Sequence, residues 1–197
     1  MQMKAYNDFI DKHHLEYDFA AFFDVDEFLC LKQDKSLEQF LSRYNDVYGV
    51  GVNWRAFGDN GLTTVEDGNF SVLSRFTRCQ DKLDRHIKTI LNLGMSRGMM
   101  HFVNPHYVDG SLKYNAIVDL DKRKFIHGPW NDGCTSTVAQ LNHYNSKTFP
   151  EFMDKIKRGR ADMLRSQQPY LSADFYKHNF NDIEDMTARD FYIENTL

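Results

Sequence analysis

Apolar and polar positions recur with two different periods along this chain, and the switches between them mark its elements. Met3, Tyr6, Phe9 or Ile10, and His13 follow helical spacing, so residues 2–14 read as a helix. The run Phe-Ala-Ala-Phe-Phe over 19–23 has the composition of a central, buried strand, and it gives way at once to the carboxylates Asp24, Asp26 and Glu27. Alternation along a strand sends Asp24 and Asp26 to one side and Glu27 to the other. Ser36 with Gln39 makes a capping-box pattern and predicts a short helix over 36–44. Val50, Val52, Trp54 and Ala56 then share one face of a strand over 48–57, closed by the turn Gly58-Asp59-Asn60-Gly61. Short strands are predicted over 70–77, 86–93, 100–108, 116–120 and 137–141, with a tight connection at Asp121-Lys122. Thr148 and Glu151 repeat the capping box. The helix they start is predicted to reach about residue 166, with Phe149, Phe152, Ile156 and Met163 on its buried side.

Strands interleaved with helices define an α/β fold with a mixed sheet flanked by helices. No repeat, low-complexity segment or Ser/Gly linker divides the chain, so a single domain over 1–197 is expected. An α/β sheet that uses strand ends for ligands normally has strands ahead of them. Here one helix leads straight into the acidic strand, so the domain is expected to be incomplete at its amino-terminal side.

Composition narrows the function classes. At 197 residues the chain can bury a substantial core, and 16 Phe with 10 Tyr argue against disorder. A net charge of −4 gives no reason to expect nucleic-acid binding. Cys30, Cys79 and Cys134 are odd in number and widely spaced, which fits neither a zinc site nor a disulfide framework and points to a reducing, cytoplasmic compartment. No stretch has membrane-span length or a signal-peptide pattern, so membrane contact is expected to be peripheral at most, at the inner face of the cell membrane.

Two carboxylates crowded at a strand end repel unless a cation lies between them, and oxygen ligands there suit Mg²⁺ or Mn²⁺. The competing reading is a solvated acidic turn. His143, at the end of an apolar segment, is the best third ligand for the Asp24/Asp26 pair, against the alternative of a buried histidine bonded to backbone. His86, His101, His106 and His127 form no cluster by spacing and read as structural or surface positions. Trp54 and Arg55 precede a glycine turn that would let backbone approach a ligand. Lys155, Arg158 and Arg165 give the late helix a basic face that suits a diphosphate or is simply solvated. No dinucleotide fingerprint, Walker loop or serine-hydrolase elbow is present.

Five segments, in this order, carry a resemblance: Asp-Val-Asp-Glu-Phe over 24–28, Asn-Trp-Arg-Ala-Phe-Gly over 53–58, His-Ile-Lys-Thr-Ile over 86–90, Asn-His-Tyr over 142–144, and the segment 152–160 with its basic run from Lys155. Together they resemble glycosyltransferases of the GT-A type, a Rossmann-related fold, in particular the bacterial family 2-like enzymes and the related glycosyltransferase family 92. Residues 180–185 also resemble the end of that domain, so the likeness covers 2–185. It implies a nucleotide-diphospho-sugar donor, a glycan or lipid-linked acceptor, and a role in surface polysaccharide or lipopolysaccharide synthesis. It also implies Asp26 as metal ligand, Asp24 on the ribose or a metal-bound water, and His143 completing the coordination. Lys88, Lys155 and Arg158 would lie by the donor phosphates, and Trp54 and Arg55 by the acceptor. For an inverting transfer Asp59 is the first candidate for general base, with Asp81 and Asp84 behind it.

Two other readings compete. Haloacid-dehalogenase-like phosphatases also begin from Asp-x-Asp after an apolar strand, but they favour a small residue where this chain has Phe28. A non-catalytic carbohydrate-binding remnant would follow from the missing amino-terminal strands.

Overall fold

The computed structural model describes residues 2–64, 71–108, 117–124, 128–159 and 171–196. They gather into two compact units, Met1–Trp54 with Leu83–Leu141, and Arg55–Lys82 with Asn142–Leu197.

The first unit begins with α1 (Gln2–His13), whose Ile10 is buried. β1 (Phe19–Ala21), β2 (Glu27–Leu31), β3 (Gly49–Ala56), β5 (Ile87–Asn92), β6 (Ile117–Val118) and β7 (Ala139–His143) build a sheet in the order β1-β5-β3-β7-β2, with β6 on β3. β5 is antiparallel to both β1 and β3, whereas β6 is parallel to β3, so the sheet is mixed. α2 (Leu37–Ser42) starts where its cap predicts, with Ser36 Oγ accepting from the Gln39 N–H at 3.2 Å. The short α4 (Leu93–Ser96) follows β5 directly, capped by Asn92.

The register explains the two cores. Val50 lies opposite Ile90, and their face is covered by Phe40, Tyr44, Leu120 and Leu141. Leu91, on the other face, packs with Ile10, Ala20, Phe102 and Ile117 beneath α1. Phe22 stacks on Tyr6 with ring centroids 4.0 Å apart and meets Phe102 edge-on.

That packing corrects the reading of 19–23 as a central strand. β1 is three residues long and lies at the edge of the sheet. Phe22 and Phe23 are apolar because the two cores need them, not because a neighbouring strand covers them. The segment 100–108 is likewise not a strand. Asn104 Oδ1 accepts from the N–H groups of His106 and Tyr107, folding the chain back so that only Phe102 and Val108 form a bridge.

In the second unit, α3 (Val72–Arg75) replaces the strand expected over 70–77, of which residue 70 lies outside the described residues. A short apolar run fits either period, and here a tertiary contact decides. The helix turns Arg75 inward, where its guanidinium grips Glu151 at 2.7 and 3.1 Å. Glu151 also completes the predicted capping box of α5 (Phe149–Arg158) with Thr148. α5 stops at Arg158 rather than near 166, because Gly159 takes φ of 81° and closes it. Met163 and Arg165 lie outside the described residues. β4 (Arg78–Cys79) pairs with β8 (Ile183–Glu184), beside α6 (Asp174–His178) and α7 (Thr187–Thr196).

Burial opposes ionisation of Glu151, yet the bonds from Arg75 and Thr148 outweigh it and hold the carboxyl down at about 2. A carboxylate depressed in the folded state stabilises fully above its ordinary range and loses that contribution as pH falls through the folded value. Glu151→Gln is therefore expected to lower stability at pH 7 and to make little difference near pH 2. Urea unfolding at the two pH values reads this directly.

Gly58 is required for a different reason. A Cβ there would collide with the Phe180 carbonyl and come within 2.5 Å of Asn181 Oδ1. Gly58→Ala is expected to cost about 3 kcal/mol, measured by thermal or urea unfolding, because backbone cannot yield as a flexible side chain can.

Candidate active site

The acidic segment leaves β1 before its carboxylates begin. The Glu27 N–H bonds to the Asp24 carbonyl at 2.9 Å, so 24–27 is a tight turn with Val25 exposed at its tip. Strand alternation does not apply to a turn, and the expected separation of Glu27 from Asp24 is corrected accordingly. Glu27 Oε2 instead accepts from the Asp24 N–H at 3.0 Å.

Both carboxylates meet Lys88, which β5 carries on the face shared with Ile90. Its Nζ lies 3.1 Å from Asp24 Oδ2 and 3.5 Å from Glu27 Oε2. Lys88 and Glu27 expose 1% and 0% of their side chains, whereas Asp24 exposes 44%. Glu27 Oε1 is buried without a hydrogen-bond partner among the described residues. Burial pushes the Glu27 carboxyl up to about 7 against the pull of Lys88. Burial also raises the Tyr6 hydroxyl, which Lys88 opposes. The turn thus holds one solvent-facing carboxylate, Asp24, over a buried ion pair, with Asp26 buried beside it.

Farther along the same face of β5 lies an aromatic group that sequence spacing did not reveal. Trp54 sits opposite His86, its N–H bonded to the His86 carbonyl, and the rings stack 5.3 Å apart. The His106 ring stands 5.1 Å from Trp54 and 5.7 Å from His86, with Nδ1 bonded to the Ile87 carbonyl. Burial lowers the basicity of His106. Asp84 Oδ1 meets His86 Nδ1 at 2.7 Å. No spacing signal pointed to this group, because it forms only when β3 pairs with β5 and brings Trp54 against His86.

The remaining candidates belong to the second unit. Asp59 Oδ1 accepts from the Gly61 N–H at 2.8 Å and from Asn181 at 3.0 Å, so this carboxylate shapes the turn. Arg55 is buried, bonded to the Gln80 carbonyl at 3.0 Å and paired with Asp185 at 3.7 Å. Asp81 receives its contacts through its backbone, donating N–H to Asp182. Lys155 reaches Asn145 at 2.5 Å, and Arg158 is exposed at the end of α5. His143 ends β7, and its carbonyl accepts from the Phe57 N–H.

No group of three or more His, Cys, Asp or Glu side chains is arranged to hold a metal among the described residues. Asp24 and Asp26 nonetheless provide the hard oxygen donors that Mg²⁺ and Mn²⁺ prefer. Such ions commonly take only one or two carboxylates and complete their shell with water and substrate phosphates. Asp24 Oδ2 faces Lys88, which leaves Oδ1 as its oxygen without a partner among the described residues.

A mixed sheet flanked by helices is consistent with a GT-A-like α/β fold, the architecture of many sugar transferases. The profile of glycosyltransferase family 92 matches residues 1–176, and the chain belongs to that family. The acidic turn, Lys88, Trp54, His86 and His143 all fall inside the match, while the 180–185 segment lies beyond it. Comparison with curated proteins found no match. No helix among the described residues is long and apolar enough to cross a membrane.

Proposed function

We propose that this chain transfers a sugar from a nucleotide-diphospho-sugar to a hydroxyl of a glycan or lipid-linked acceptor, with Mg²⁺ or Mn²⁺ bound at the acidic turn. The observation that carries this reading is the Asp24-Val25-Asp26 turn mounted on the buried Lys88–Glu27 pair in a family 92 chain. Asp24 and Asp26 are the metal-holding residues. A divalent ion supplies charge neutralisation for the departing diphosphate.

Lys88 is a positioning residue. Its ammonium is buried, so it acts on the donor site through the Asp24 carboxylate, fixing one oxygen and turning the other outward. Trp54 is the acceptor-side aromatic. The acceptor classes fitting this reading include the sugars of surface polysaccharides and lipopolysaccharides. Calorimetric titration of the full chain with UDP- and GDP-hexoses, in Mn²⁺ and in EDTA, tests it. Metal-dependent binding of at least one donor is expected, and no binding of any in either condition would reject the assignment.

A further inference from the structure

The His86 imidazole lies outside the acidic turn and is held by its own set of neighbours. Its side chain is 39% exposed, and Asp84 Oδ1 takes its Nδ1 at 2.7 Å while also accepting the His86 N–H at 2.8 Å. That contact fixes the tautomer with hydrogen on Nδ1 and leaves the lone pair on Nε2, which has no partner among the described residues. Trp54 stacks on one face of the ring, and the His106 ring lies tilted against it with centroids 5.7 Å apart. Beside it Trp130 forms a backbone bridge with His86 and exposes 41% of its surface, with the Arg85 guanidinium 5.4 Å from its ring centroid. Lys88 stands two residues along the same strand face, carrying Asp24.

Resting on the glycosyltransferase reading above, we propose that His86 is the general base that deprotonates the acceptor hydroxyl, with Asp84 as its positioning residue. In a single displacement the acceptor O–H bond breaks and its proton passes to Nε2. The acceptor oxygen forms the new bond to the anomeric carbon as that carbon's bond to the diphosphate oxygen breaks, and the electron pair leaves with the nucleoside diphosphate. Asp84 stabilises the imidazolium that results, and the exposed ring returns its proton to water after product leaves. The titratable and charged groups around His86 are Asp84, His106, Lys88 with Asp24, and Arg85, which lies over Trp130 and pairs with Asp132.

The test is transfer by the full chain from a panel of UDP- and GDP-hexoses to methyl hexosides, followed across pH 5–9 for wild type and His86→Gln. Glutamine keeps a polar side chain without a base. The expected result is a loss of about 100-fold or more in kcat, donor binding by calorimetry within a few-fold of wild type, and disappearance of the acidic limb of the pH profile. A merely structural role would not remove that limb. If melting shows His86→Gln unfolded, Asp84→Asn decides by the same measurements, with a loss of at least about 10-fold expected. Transfer in the variant within about 3-fold of wild type overturns the base assignment and leaves the glycosyltransferase reading standing. Wild-type chain that neither binds nor transfers any of these sugars overturns both.

Discussion

Lys88→Met is expected to lower folding stability by about 3 kcal/mol at pH 8, and adding Glu27→Gln is expected to recover most of that loss. Removing one member of a buried pair leaves the other uncompensated, a change that typically costs about 3–5 kcal/mol. Glu27 has no exposed side-chain surface, and one of its oxygens already lacks a partner among the described residues. Without the ammonium, the carboxylate escapes its cost only by taking up a proton. The folded state then binds more protons than the unfolded chain, so stability falls as pH rises, and the penalty shrinks toward pH 5. Asp24, facing solvent, tolerates the loss far better. Urea unfolding of both single variants and the double variant gives the coupling energy directly. Simple additivity of the two substitutions would mean that the pair is not coupled as the 3.5 Å contact requires.

The largest effect on activity is expected at Asp26. Asp26→Ala should abolish stimulation of transfer by Mn²⁺ and reduce the rate by about 100-fold or more, since an oxygen ligand cannot be replaced by a methyl group. Because the residue is buried in the turn, its folding must be checked in parallel by melting. A folded variant with undiminished Mn²⁺-stimulated transfer would remove Asp26 from the metal site.

The sequence was most informative where one local rule settles the outcome. The cap at Ser36, the capping box at Thr148–Glu151 and the alternation through Val50, Val52 and Trp54 each have a local cause, and each appears in the structure. Local rules failed where tertiary contacts choose. Phe22 and Phe23 look like strand residues because burial by a helix and burial by a strand demand the same side chains. Arg75 stands in a run that reads as a strand, yet its guanidinium is needed against Glu151 in a helix. At the site, Asp24 and Asp26 were legible as a pair. The convergence of Glu27 and Lys88 was not, since one lies in a turn and the other 61 positions away in number, on a strand whose register no local pattern specifies (88 − 27). The His86–Trp54 contact is of the same kind.

The central claim is that sugar is transferred at the Asp24-Val25-Asp26 turn. Mass spectrometry of an acceptor incubated with full chain, nucleotide-hexose panel and Mn²⁺ tests it most directly, run beside Asp24→Asn and beside wild type in EDTA. The account predicts an added hexose mass with wild type and Mn²⁺, and its loss or reduction by about 100-fold in the other two samples. Equal hexose addition in all three would contradict it.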